Sequence, residues 1–285
     1  MKNIILTSIY LLIFSTQNFA QSGWVKEKGT YFIQGSFNVF SSDQYYNTSG
    51  ELQTSALGTD FTTTAFKVYG EYGITNRLTL TANLPLIKSN GFSTTETIFG
   101  VGDLRIGAKY QLLKSFPLSL AIEPEIPTGN GEQFAFAKTE NDLGFREKIN
   151  IPTSDGEFNV WSTLAASLSS NNGRYYGSIY GGFNWRTKGL SHQLKVGTEA
   201  GTLFFDKLWI IGKLWIQESL TENPKKVPFV YGEGTEFTAF GITALYKINK
   251  KISITAEYLD YSGLITGRKN IYDGPAFGLG VAFEY

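Results

Sequence analysis

At 285 residues the chain is long enough for one large β domain or two ordinary ones. Its 25 basic and 25 acidic residues cancel, so it lacks the positive field that a nucleic-acid or anionic-surface binder needs. The absence of Cys excludes disulfides, thiol catalysis, thiolate metal sites and lipid attachment at an N-terminal Cys, while 22 Phe, 16 Tyr, 5 Trp and 31 Gly favour strands and tight turns.

Residues 1–20 read as a signal peptide that is removed. Lys2 gives a basic start, Ile4 to Phe14 an apolar core too short to span a bilayer, and Ala20 a small residue at the cleavage point, although Asn18 departs from the usual small residue at −3. No later stretch approaches the roughly 18 apolar residues of a spanning helix. Residues 21–285 form the mature chain. Here period-two alternation recurs in twelve segments of about ten residues: 30–40, 61–72, 78–87, 102–113, 118–126, 157–168, 175–186, 192–204, 208–217, 236–248, 252–261 and 275–285.

The gaps between these segments sort into two kinds. Those at 73–77, 114–117, 169–174, 206–207 and 249–251 are short and turn-like; those at 41–60, 88–101, 127–156, 218–235 and 262–274 are long, and 187–191 is the one exception among the latter set. A sandwich has no reason to alternate short and long connections. A chain that crosses a bilayer back and forth does, because one end carries turns and the other carries loops. In hydrocarbon every backbone donor and acceptor must be paired internally, so such a sheet has to close. The expectation is all-β: a single transmembrane antiparallel up-and-down β-barrel of about 12 strands, with short periplasmic turns and long extracellular loops.

Alternation also assigns the faces. In Val101 to Leu113, Leu104, Ile106, Ala108, Tyr110 and Leu112 share one face, and Asp103, Arg105, Gly107, Lys109 and Gln111 the other. Outward rings at Tyr72, Tyr110, Tyr175, Phe204, Tyr246, Phe283 and Tyr285 fall near the turn end and form an aromatic girdle. Inward charges make Lys67, Glu71, Arg105, Lys109, Glu123, Glu125, Lys195, Glu199, Lys213 and Glu257 the pore-lining candidates. Hairpin register sets Arg105 opposite Glu125, Lys109 near Glu123 and Lys213 opposite Glu199. The balanced signs argue against strong ion selectivity, since rings of one sign are what select. Inward small residues, among them Gly107, Gly182, Gly197, Gly201, Gly241, Gly278 and Gly280, leave space for a solute path; alternatively they relieve crowding and are covered by neighbouring rings. Loop 127–156 is long enough to fold inward or to cover the mouth.

Enzyme signatures are weak, and no catalytic residue, metal site or cofactor is expected. The single His, His192, lies in the outward set, and the adjacent Ser191 points to the opposite face. One His with no Cys makes a poor transition-metal site. The turns at Thr153–Glu157 and Tyr272–Pro275 lack calcium-loop spacing.

The run GVGDLRIGAKYQLL followed by LSLAIEPEIPTGNG resembles the signature of a family of outer-membrane barrels, the MetA-pathway phenol-degradation proteins, also described simply as transporters. The pattern is carried by Gly102, Asp103, Gly107, Lys109, Tyr110, Pro127, Thr128 and Gly129. The resemblance implies a barrel in the outer membrane of a Gram-negative bacterium that passes small molecules, hydrophobic or aromatic ones among them. The last strand, with Phe277, Leu279, Val281, Phe283 and Tyr285 on one face, resembles the C-terminal signal read by the barrel-assembly machinery. The expected function is passive uptake of small solutes through a narrow polar lumen, with outer-membrane lipid, the assembly machinery and the solute as partners and no nucleic acid. Two alternatives stand beside it: a barrel enzyme acting on lipid, and a closed structural or adhesive barrel acting through its loops.

Overall fold

The structure, a computed structural model, describes residues 22–55, 59–221 and 233–285; residues 1–20, where a signal peptide is expected, and most of the loop 218–235 lie outside them. Twelve long antiparallel strands run in chain order: β1 (Tyr31–Ser42), β2 (Phe61–Thr75), β3 (Leu78–Phe92), β4 (Leu104–Gln111), β5 (Leu118–Ile126), β6 (Asn159–Ser169), β7 (Tyr175–Arg186), β8 (Gln193–Phe204), β9 (Leu208–Ser219), β10 (Phe237–Lys247), β11 (Ile252–Ser262) and β12 (Ala276–Glu284). Each pairs with its neighbours in sequence. β1 pairs with both β2 and β12, with Gly35 opposite Val68 on one side and Val281 on the other, so the sheet closes and leaves no edge. The described residues contain no helix.

The alternation read from the sequence becomes the two faces of the barrel. Ile33, Phe37, Leu80, Ile106, Leu164, Ile179, Val196, Ile242, Phe277 and Leu279 stand exposed outside, and the outward rings of Tyr72, Tyr110, Tyr175, Phe204, Tyr246 and Phe283 collect at the turn end. A water-soluble protein rarely shows so continuous an apolar surface, whereas a bilayer requires one.

Two segments differ from expectation. β3 does not stop at 87. Phe66 pairs with Ile87 and Lys67 with Pro85, so Leu86 is an extra, unopposed residue. This bulge breaks the alternation where the sequence reading ended the strand, and pairing resumes beyond it to Phe92. A short strand, Ile98–Gly100, then pairs with Lys88–Asn90 inside what was expected to be loop. Asp103 also differs: it precedes β4 rather than lying within a strand.

The long connections fold over the barrel. Gln44–Tyr46, Leu52–Thr54 and Ile271–Tyr272 make one small sheet, and Phe134–Phe136 with Lys148–Asn150 a hairpin. Phe61, Phe92, Ile98, Ala135 and Ile151 form a core beneath them.

Candidate functional site

The lumen is divided. On the loop side lies a cavity of about 680 Å³. On the turn side inward side chains, among them Thr79, Lys109, Ile211 and Leu245, are buried against one another.

The packed half is built on charge. Lys109 on β4 is completely buried, and its Nζ donates to Glu71 Oε1 on β2 at 3.2 Å. The two strands are not neighbours; β3 lies between them and contributes only Thr79 and Thr81 at that level. These short side chains let the lysine reach across. Tyr69 donates to the same Glu71 oxygen at 2.6 Å. Lys109 lies within electrostatic reach of Glu123, as expected, but its ion pair is with Glu71, and Glu123 accepts from Thr81 at 2.9 Å. On the opposite wall Glu199 accepts from Tyr176 at 2.6 Å and faces Lys213 at 3.8 Å, as hairpin register predicted. Tyr176, Trp209, Ile211 and Leu245 complete the plug.

The chain itself closes the turn end. Residues 22–28, which carry no periodic signal, run across the mouth. Gly23 N–H donates to Ser167 Oγ at 2.8 Å, Lys26 N–H to Thr79 Oγ1 at 2.8 Å, and Lys26 Nζ to Glu284 at 2.7 Å. The Trp24 ring enters the plug edge-on to Tyr176, at 5.8 Å. The indole N–H groups of Trp24 and Trp209 are both buried without a partner among the described residues.

The inward glycines do not open space in this half. A Cβ on Gly197 would meet Tyr180 Oη at 2.4 Å, and one on Gly201 would meet the Tyr176 ring at 2.1 Å, so each is the seat of a covering ring. Gly280 is covered by Thr255 with Gln34, whereas Gly241 and Gly278 border the loop-side cavity. The crowding alternative holds at Gly197, Gly201 and Gly280.

The ten pore-lining candidates divide between the two halves. Lys67, Arg105, Glu125, Lys195, Lys213 and Glu257 border the cavity; Glu71, Lys109, Glu123 and Glu199 do not, and Glu71, Lys109 and Glu199 belong to the packing just described. Arg105 binds Glu125 through two nitrogens, one of them Nε at 2.9 Å, and Asn159 donates to the other carboxylate oxygen at 2.9 Å. Lys195 lies over the Trp161 ring at 4.9 Å.

Loop 127–156 folds inward at the cavity's loop-side rim. Asn90 Nδ2 donates to Pro152 O at 2.7 Å and Lys88 Nζ to Thr153 O at 3.1 Å, and Thr153 and Ser154 are buried. The Gly-Asp and Pro-Thr-Gly residues of the motif are the clasp that seats this loop. Thr128 Oγ1 donates to Gly102 O at 2.7 Å and accepts from Leu104 N–H at 3.1 Å; Gly129 N–H donates to Asp103 Oδ1 at 3.2 Å. Burial holds the Asp103 carboxyl above the ordinary carboxylate range, with the Gly129 bond pulling the other way. Asp155, also raised by burial, accepts from Arg186 at 2.9 Å. Gly107 lies against β5: a Cβ there would stand 2.4 Å from Ile122 O. Gly107→Ala is expected to lower stability by about 1–3 kcal/mol, measured by urea titration in lipid vesicles; an unchanged midpoint would show that the two strands can move apart freely.

His192 Nδ1 accepts from the Arg186 backbone N–H at 3.1 Å, and its ring meets Phe183 edge-on. Ser191 Oγ donates to Glu233 at 2.7 Å, so this serine ties loops together and is not aligned with the histidine.

Comparison with solved structures finds the same architecture in membrane barrels. The COG4313 outer membrane channel from Pseudomonas putida F1 aligns at a TM-score of 0.60 and 16% identity, covering 94% of this chain and 100% of that one. The β domain of the Bordetella autotransporter Brka aligns at 0.53 and 11%, covering 90% and 100%. A deletion mutant of the TodX monoaromatic hydrocarbon channel aligns at 0.50 and 9%, covering 91% and 90%. At these identities the likeness shows the fold, that of an outer-membrane β-barrel. No protein-family model matches the chain, and no curated protein sequence matches it.

Proposed function

We propose that this chain is an outer-membrane channel that receives small solutes in the loop-side cavity and releases them through a turn-side closure that must open. The observation that carries this reading is the division of the lumen: a cavity of about 680 Å³, within the range of small-molecule sites, over a plug formed partly by residues 22–28. The family resemblance and the channels among the structural neighbours agree with it. The hydrophobic and aromatic solutes implied by the resemblance fit the Phe40, Phe61 and Tyr272 wall of the cavity, where Phe61 and Tyr272 stack at 4.5 Å.

The plug sets the test. Trp24 enters by ring packing, and residues 22–28 are tied to the wall by single hydrogen bonds and the Lys26–Glu284 pair rather than by strand pairing, so the segment is a closure distinct from the sheet. In planar bilayers the intact barrel is expected to conduct weakly. Trp24→Ala, or removal of residues 22–26, should raise conductance severalfold with heat-modifiability retained. Electrical silence in all three forms, each folded, would overturn the channel reading and favour a sealed structural barrel.

A further inference from the structure

The charges around the cavity are not distributed evenly. Five cations border it (Lys67, Lys88, Arg105, Lys195 and Lys213) and four anions (Asp103, Glu125, Asp155 and Glu257). Three of the anions are already engaged: Glu125 by Arg105 and Asn159, Asp155 by Arg186, and Asp103 by the Gly129 N–H.

Lys67 is in a different situation. Its cross-strand neighbours are Ser36 on β1 and Pro85 on β3, neither of which carries a charge. Its ammonium makes no hydrogen bond or ion pair among the described residues, and it lies within electrostatic reach of two like charges, Lys88 and Arg105, against one opposite charge, Glu257. One strand over, the Asn83 amide also borders the cavity, and its side chain makes no hydrogen bond among the described residues. Among the described residues neither the ammonium nor the amide has a protein acceptor, and both face an open-mouthed cavity bordered by five cations and four anions, so both are available to an acceptor of negative charge.

We infer that the cavity contains a binding subsite for a small organic carboxylate, its carboxylate oxygens accepting from Lys67 Nζ and Asn83 Nδ2. This rests on the channel reading and specifies its solute class. The neutral or cationic counterpart of the same molecule leaves the lysine unpaired, so the site discriminates by charge and not by shape.

The test uses benzoate, benzamide and benzylamine, three probes of nearly equal size, titrated calorimetrically into the purified full-length barrel. Benzoate should bind about tenfold more tightly than benzamide, the value of one charge-assisted hydrogen bond, and benzylamine should bind least. Lys67→Met should abolish the preference, whereas Lys67→Arg should keep it; Asn83→Ala should reduce it. Equal binding of benzoate and benzamide to the unaltered barrel would overturn the subsite, as would a preference that survives Lys67→Met. If Lys67→Met fails to fold, the unaltered barrel and Asn83→Ala still decide. Conductance of the same preparation separates the two claims: a conducting barrel without carboxylate preference removes only the subsite, and a silent one removes the channel.

Discussion

Lys109→Met is expected to destabilise the barrel by about 3–5 kcal/mol, the usual consequence of removing one member of a buried ion pair. Lys109 is wholly enclosed and Glu71 nearly so. Without the ammonium, the Glu71 carboxylate keeps one donor, Tyr69, and its second oxygen already has no partner. The loss comes from stranding that charge more than from losing an attraction. The double variant Lys109→Met with Glu71→Met should therefore recover much of the stability, because two apolar side chains of similar length fill the space without charge. Urea titration in lipid vesicles measures all three. A single variant as stable as the unaltered chain would mean that water reaches Glu71, and hence that the turn-side half is an aqueous passage and not a plug.

Leu279→Lys should cost about 2–4 kcal/mol if the residue sits near the bilayer midplane. Leu279 stands in the middle of β12, between Phe37 and Ala256, with its side chain outside the barrel and 66% exposed. In water that exposure would make lysine harmless; in hydrocarbon the ammonium has nothing to bind. The contrasting change is Lys195→Met, one wall inward, which loses a contact with the Trp161 face and leaves Glu125 still bound by Arg105. It should be the milder of the two. The reverse order in vesicle titrations would mean that the inside and outside of the barrel had been exchanged. In detergent-free buffer the unaltered protein should aggregate, since its outer belt has no polar substitute for lipid.

Strand number, face and girdle were legible in the sequence because period-two alternation is local: each strand declares its own faces whatever it pairs with. Arg105 with Glu125 and Lys213 with Glu199 were legible for a related reason, since a tight turn fixes the register of its two strands. The Lys109–Glu71 pair is not legible because the partner is two strands away, and only the assembled sheet, with Thr79 and Thr81 leaving room, brings Glu71 within reach. The plug by residues 22–28 has no periodic signature at all; a single Trp in an irregular stretch reads equally well as linker. The inward fold of loop 127–156 was left open by its length, and what settles it is a clasp of hydroxyl and backbone groups at Thr128 and Gly102 that no periodicity encodes. Whether an inward glycine opens a path or seats a covering ring is not legible in the sequence, which shows the missing side chain and not the neighbour that covers it.

The bulge at Leu86 acts on β3 as a frameshift acts on a message. Before it the odd-numbered residues Thr79, Thr81, Asn83 and Pro85 face the lumen; after it the even-numbered Lys88, Asn90 and Phe92 do. One unopposed leucine thus decides on which side of the wall everything downstream is read. Without it, the amide and ammonium that hold the loop at Pro152 and Thr153 would be addressed to lipid, and the cavity would lose its inward-folded rim. A family of such barrels could change which residues line its outer mouth by gaining or losing a single residue in a strand, with every other side chain unaltered.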